Sequence, residues 1–259
     1  MSALLELHGV GIRFGGMCAV DNLSLSIAEG HISALIGPNG AGKTTVFNMI
    51  TGVSRPTDGR ILWQGKDIAG APPHHIAALG IRRTFQTIRL FPDMSVFENV
   101  RAGCHLRARQ RWWQGLLGLP VQRREEEALS ERAHEVLRRL DLHRVADEPA
   151  VSLAYGLQRR VEMARALVAQ PKLLILDEPA AGLNDAESAE LNKTIFAIRD
   201  SGVTVLLVEH DMNVVMNVAD HIVVINFGRK IAEGDAAAVR DDPAVIEAYL
   251  GRDDEESEA

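Results

Sequence analysis

Hydrophobic and polar residues change their spacing several times along the chain, and each change predicts an element. "LLELHGVGIRF" (4–14) and "AVDNLSLSIAEG" (19–30) alternate apolar and polar residues, the mark of strands in a half-exposed antiparallel sheet. "HISALIGPNGAGKTTVFNMITG" (31–52) then runs as a buried strand, a glycine-rich turn and a helix, and "GRILWQGKDI" (59–68) supplies another strand. From about Ser95 to Leu142 the period becomes helical, in "SVFENVRAGCHL" and "RREEEALSERAHEVLRRLDL". Beyond that come a helix from about Gly156, the strand "KLLILDE", the helix "AESAELNKTIFAIRDSG" and the strand "VTVLLVEH". A short helix, the strand "HIVVIN", a hairpin and the helix "PAVIEAYLG" complete the order.

Strands alternating with helices in this way predict an α/β fold, its parallel sheet covered on both faces. The helical block interrupts that rhythm and reads as a subdomain, about 95–165, inserted into one domain spanning 1–251. Residues 252–259, inside "GRDDEESEA", read as a solvated acidic tail.

Composition narrows the function classes. Lys plus Arg number 28 against 35 Asp plus Glu, a net charge of −7, which argues against nucleic acid as a partner. No apolar run reaches the roughly 18 residues a membrane helix needs. Cys18 and Cys104 have no metal-ligand spacing and read as free thiols in a reducing compartment.

The chemistry begins at Gly37-Pro38-Asn39-Gly40-Ala41-Gly42-Lys43-Thr44-Thr45, which fits G-x-x-x-x-G-K-[ST] between a strand and a helix. Glycines let several main-chain N–H groups converge on one anion, and the helix adds its positive end. Lys43 would neutralise terminal phosphates and the Thr44 hydroxyl would ligate Mg²⁺. Asp177 and Glu178 end the apolar run "LLILD", so they emerge at the carboxyl edge of a parallel sheet, where ligands bind. Asp177 suits the metal, and Glu178 the attacking water. His210 ends another strand in phase with these sites and suits sensing of the γ-phosphate. Gln86, after a short β-like segment, offers an amide oxygen to Mg²⁺ or to the water.

In this order the motifs resemble the ATP-binding subunit of ABC transporters over nearly the whole chain. The resemblance implies a P-loop NTPase core of mixed sheet, an antiparallel β subdomain, an inserted α-helical subdomain, and ATP hydrolysis with Mg²⁺. Phe14 matches the aromatic residue that stacks on adenine, and residues 37–45 match the Walker A loop. Gln86 matches the Q-loop, Asp177 and Glu178 the Walker B pair, "AGLN" (181–184) the D-loop, and His210 the switch histidine. "SLAYGLQRR" (152–160) falls at the signature motif, which faces ATP held by a second subunit, so Leu153, Ala154, Tyr155, Gly156, Leu157 and Gln158 join the nucleotide-binding candidates. Ala154 stands where serine is usual, Tyr155 where glycine is, Leu157 where glutamine is common, and Asn184 where the D-loop has aspartate.

"LAYG", "QRRVEMARAL", "LDEPAAGLN", "VEHDM" and "PAVIEAYLG" resemble the subgroup serving branched-chain amino acid uptake. That resemblance implies a second ATPase subunit (a different chain, with a homodimer the alternative in isolation), two membrane permease subunits, a substrate-binding protein reached indirectly, and a peripheral place on the cytoplasmic face of the inner (plasma) membrane. Rival readings are an ATPase for another solute or for lipopolysaccharide export, and a soluble ATPase in DNA repair or translation. Leu90, Phe91 and Met94, just after Gln86, suit a groove for a permease helix, with core packing the rival for Phe97 and Val100. "RARQRWWQGLLGLP" (107–120), holding Trp112 and Trp113, fits either a hairpin burying its own aromatics or an amphipathic contact.

Overall fold

The computed structural model describes residues 3–84, 86–104, 120–209 and 212–250. The first strands are β1 (Ala3–Phe14), β2 (Met17–Ala28) and β3 (Ile32–Ile36), followed by helix α1 (Lys43–Ile50). Strand β4 (Asp58–Trp63), the short β5 (Lys66–Asp67), helix α2 (Pro73–Ala78) and β6 (Ile81–Arg83) come next. The helical region contributes α3 (Val96–Ala102), α4 (Pro120–Arg139) and α5 (Tyr155–Leu167). The chain continues through β7 (Leu173–Asp177), α6 (Asp185–Asp200), β8 (Thr204–Glu209), α7 (Met212–Val218), β9 (His221–Asn226), β10 (Arg229–Gly234), α8 (Ala236–Arg240) and α9 (Pro243–Leu250).

Two sheets result. The first is antiparallel, in the order β2-β1-β4-β5, and the second is mixed, in the order β10-β9-β3-β8-β7-β6. Within the second sheet β9, β3, β8, β7 and β6 run parallel and only β10 is antiparallel. The pleat sorts each parallel strand between two cores. Ile32, Ala34 and Ile36 of β3, Leu174 and Leu176 of β7, and Val205 and Leu207 of β8 join the core packed under α3–α7. Leu35, Leu173, Ile175, Leu206 and Val208 point the other way, into a core shared with β1, β2, β4 and α1. Phe47 and Ile50 of α1 are fully buried there. At about 1.5–3 kcal/mol of transfer free energy each, they hold the helix beneath the loop that precedes it.

"GRILWQGKDI", read as one strand, is a hairpin. Gln64 (φ 50°) and Gly65 (φ 76°) both adopt positive φ and turn β4 back into β5, which pairs Trp63 with Lys66. Helices α2 and α8 are additional to the expected elements; the latter is capped by Asp235, whose Oδ1 accepts from Ala238 N at 2.8 Å. In the helical region Ser95 and Glu98 form a reciprocal capping box at the start of α3. Ala133, Val136 and Leu137 give α4 one apolar face in the shared core, which Leu140 joins just beyond the helix. The Trp112-Trp113 segment, His210 and the acidic tail lie outside the described residues.

Candidate nucleotide site

Residues 37–42 must turn the chain between a buried strand and a buried helix, and glycine makes this possible at two close approaches. Gly37 adopts φ 154° with its main chain so near β9 that a Cβ would lie 2.0 Å from Ile225 O. Gly42, the N-cap of α1, adopts φ 102°, and a Cβ there would meet Ala19 O at 2.7 Å. No side chain caps α1, so the helix start keeps its N–H groups and positive end for an anion. Pro38 and Ala41 are buried and fix the loop, with Ala41 N donating to Pro38 O at 3.1 Å and Gly228 N to Ala41 O at 2.9 Å. Lys43, only 6% exposed, curls over the loop and donates from Nζ to Gly37 O (2.6 Å) and Pro38 O (3.0 Å).

A cavity of about 460 Å³ opens beside this loop, lined by Met17, Cys18, Ala19, Asn39, Gly40, Gly42, Lys43, Thr44, Thr45, Glu178 and Phe227. The phosphate loop and Glu178 therefore share one space. Phe14 is 52% exposed at the end of β1, paired with Met17, and is not among the lining residues. Phe227 is, and sequence reasoning missed it. It sits in the β9–β10 turn at φ 46°, 77% exposed. A bulky residue at positive φ is a signal only once the backbone is known.

Asp177 and Glu178 occupy different environments although they are neighbours. Asp177, 6% exposed, receives Arg83 Nη2 at 2.6 Å, and the same guanidinium donates to Asn48 Oδ1 at 2.8 Å and lies over the Phe47 ring. Arg83 thus ties the Walker B strand to α1. A carboxylate at the end of a buried strand demands a cationic partner, but which residue supplies it depends on the pairing of β6 with β7. Glu178 is held at φ 45°, a left-handed conformation costing about 1–3 kcal/mol for a residue with a Cβ. Its N–H donates to Val208 O at 2.9 Å, and the following turn is fixed by Ala180 N donating to the fully buried Glu209 at 2.7 Å. Gln86 Nε2 donates to Glu178 Oε2 at 2.7 Å, joining the Q-loop to that carboxylate.

The Mg²⁺ candidates Thr44, Gln86 and Asp177 offer a hydroxyl, an amide oxygen and a carboxylate. Such hard oxygen donors suit Mg²⁺, which keeps waters and phosphate oxygens in its remaining positions. No group of three or more His, Cys, Asp or Glu that could hold a metal occurs among the described residues.

The signature turn lies away from this cavity within the same chain. Ala154 is the exposed N-cap of α5 and has no side-chain cap; Tyr155 is 42% exposed and Gly156 is half-buried. Leu153 is buried, Leu157 packs against the core under the helices, and Gln158 Nε2 donates back to Leu153 O at 2.8 Å. Asn184 caps α6, its Oδ1 accepting from Glu187 N at 3.0 Å, a task in which asparagine and aspartate are equivalent. Beside the Q-loop a groove of about 690 Å³ is lined by Arg82, Arg89, Leu90, Phe91, Met94 and Arg165 among others. Phe91 (47%) and Met94 (38%) are exposed there, whereas Val100 is fully buried and Phe97 packs on the core. Burial lowers the Arg165 pKa, against the opposing charge of Glu162.

The family model described as ABC transporter matches residues 20–181. The chain belongs to the ABC transporter family. A second model, described as branched-chain amino acid ATP-binding cassette transporter, matches residues 229–255 of this ABC protein. The chain is 47% identical over 96% of its length, and 98% of the relative's, to the high-affinity branched-chain amino acid transport ATP-binding protein BraF of Pseudomonas aeruginosa. With the same coverage it is 46% identical to the corresponding LivG of Escherichia coli K12. A solved ATP-binding cassette of an ABC transporter, in its ADP conformation, superposes with TM-score 0.85 at 33% identity, covering 97% of this chain and 100% of that one. A dimeric cassette in a post-hydrolysis state with ADP and phosphate gives TM-score 0.72 at 26% identity over 90% and 98% of the two chains. The fold is that of an ABC ATPase cassette, and the protein is an ATPase of this family.

Proposed function

We propose that this chain is the ATP-hydrolysing subunit of an importer for branched-chain amino acids, driving transport through membrane permeases. The observation that carries the reading is a likeness to branched-chain amino acid transport ATP-binding proteins that runs end to end, together with a cavity that joins the phosphate loop to Glu178. The phosphate loop holds the triphosphate through main-chain N–H groups and the start of α1, and Lys43 turns its ammonium from its own loop carbonyls to the terminal phosphates. Glu178 orients the attacking water and accepts its proton, with Gln86 holding the carboxylate in place. Mg²⁺, held by Thr44, Asp177 and Gln86, would supply charge neutralisation at the phosphates. Phe227, in the cavity wall, flanks the base end, and Phe14 and His210 keep the roles the resemblance implies, stacking on adenine and sensing the γ-phosphate.

The turn at Ala154, Tyr155 and Gly156 is exposed and uncapped, which suits completion of a nucleotide site on a second ATPase subunit. Leu153, Leu157 and Gln158 support that turn from behind. ATP then acts as interfacial glue, and its hydrolysis separates the subunits and moves two permeases that receive solute from a binding protein. The groove by Phe91 and Met94 takes a short permease helix. No helix among the described residues is long and apolar enough to cross a membrane, which suits a peripheral subunit at the cytoplasmic face. Reconstitution of this chain with two branched-chain amino acid permeases, a partner ATPase subunit and a binding protein tests the reading: vesicles should accumulate leucine only with ATP. Uptake of a different solute would refute the assigned cargo, and co-purification with nucleic acid or ribosomes would refute the transport role.

A further inference from the structure

Arg159, one turn into α5, is 1% exposed, the least accessible arginine among the described residues. A buried guanidinium is costly unless its donors are matched, and here both terminal nitrogens are matched, across two functional segments. Nη1 lies 3.3 Å from Glu162 Oε2, itself 2% exposed, which supplies the countercharge from the same helix. Nη2 donates to the main-chain carbonyl of Gln86 at 2.8 Å and to the Tyr155 hydroxyl at 3.3 Å, and the guanidinium lies 5.7 Å from the Tyr155 ring centroid. Gln86 in turn donates from its side chain to Glu178 at 2.7 Å. A continuous polar path therefore runs from Tyr155, in the exposed signature turn, through Arg159 and the Q-loop main chain to the carboxylate of Glu178.

We infer that Arg159 is a positioning residue that couples the signature turn to the Q-loop of its own subunit, so that engagement of Tyr155 and Gly156 by a second subunit sets the placement of Gln86 against Glu178. This rests on the proposed ATPase dimer. The physical reason is the planar fork of arginine. One rigid group donates in several directions, so a shift of the turn that moves Tyr155 by an ångström cannot occur without pulling on the Gln86 carbonyl or breaking a hydrogen bond in a water-poor site. It also explains the tyrosine in a turn that elsewhere carries glycine: the aromatic ring covers the guanidinium and its hydroxyl accepts from it.

The test uses full-length protein and three measurements on each variant: melting temperature, ATP affinity without turnover, and the kcat and KM of hydrolysis. Arg159→Lys keeps the charge opposite Glu162 but has no fork; Tyr155→Phe keeps the ring and removes only the acceptor. The expected result for Arg159→Lys is a fall in kcat of about tenfold or more with ATP affinity unchanged within about twofold, and for Tyr155→Phe a smaller fall, about threefold, with unchanged melting. Combining them should cost no more than Arg159→Lys alone, since both cut one path. Wild-type kcat in a folded Arg159→Lys protein, or in Tyr155→Phe should the lysine variant not fold, overturns the inference. So does a loss that appears only as lowered melting and equally lowered affinity. Failure of the wild-type chain to hydrolyse ATP would instead strike the underlying functional reading.

Discussion

The two faces proposed to meet nucleotide on this cassette are built on opposite plans. The phosphate loop is wedged between buried strands and a buried helix: Lys43 and Asp177 are each 6% exposed, and Gly37 leaves no room for a Cβ. The signature turn is an exposed helix start, with Tyr155 at 42% exposure and no side-chain cap at Ala154. Rigidity belongs where the charge of a triphosphate must be matched without reorganisation. Exposure belongs where a surface must meet another molecule, close on it and let go. Beyond the shared apolar core, a polar link between the two faces runs through the contacts of Arg159 to Gln86 and Tyr155.

That comparison breaks first at Glu178. Glu178→Gln removes the proton acceptor yet preserves a side chain able to bond Gln86, so ATP binding should persist while hydrolysis slows at least about a hundredfold. Single-turnover measurement with ATP decides it, and near-wild-type turnover would refute the role. Lys43→Ala attacks the rigid face itself. Losing a charge-assisted contact to the phosphates worth about 1.5–3 kcal/mol should weaken ATP binding by about tenfold to a hundredfold. A titration with ATP checks this, with melting temperature recorded because Nζ also ties down Gly37 and Pro38 in the ligand-free loop.

Much of the rigid face was legible in the sequence because its constraints are local. A glycine-rich turn between a buried strand and a helix, and acids at the end of "LLILD", declare themselves through spacing alone. What stayed hidden depends on contacts distant in sequence. Arg83 meets Asp177 across a strand pairing that joins Ile81–Arg83 to Leu173–Ile175. Phe227 reaches the cavity because β9 lies beside β3. Glu209, next to His210, read as the end of an apolar run, and only the fold shows it anchoring the turn after Glu178. The hairpin at Gln64-Gly65 was missed for a different reason: apolar spacing on both sides of a two-residue turn mimics one continuous strand.

The exposed face is tested by restoring what it lacks. Ala154→Ser offers a hydroxyl to a γ-phosphate on the opposite subunit, and ATP-driven dimerisation should tighten about tenfold, the lower end of a charge-assisted hydrogen bond. The same hydroxyl would also cap α5, adding about 1 kcal/mol of stability and about 2–4 °C of melting temperature with no nucleotide present. The two effects separate cleanly. Raised melting with unchanged dimerisation would mean that this turn does not meet phosphate, while tightening of both supports the assignment.

The smallest effect needs no mutation. Cys18 is exposed and lines the cavity beside the phosphate loop, whereas Cys104 is 2% exposed in the core under the helices. Burial pushes the Cys104 thiol up, with Arg132 and Arg101 opposing, so it carries little of the reactive thiolate. An alkylating reagent should therefore modify Cys18 first, and saturating ATP in the Glu178→Gln protein should slow that reaction about threefold or more by covering the cavity wall, in the way any bound ligand shields what it touches. Cys104 serves as an internal control, since general tightening of the fold would slow both thiols together. Equal Cys18 rates with and without ATP would move the nucleotide away from Met17, Cys18 and Phe227, and with it the base end of the site.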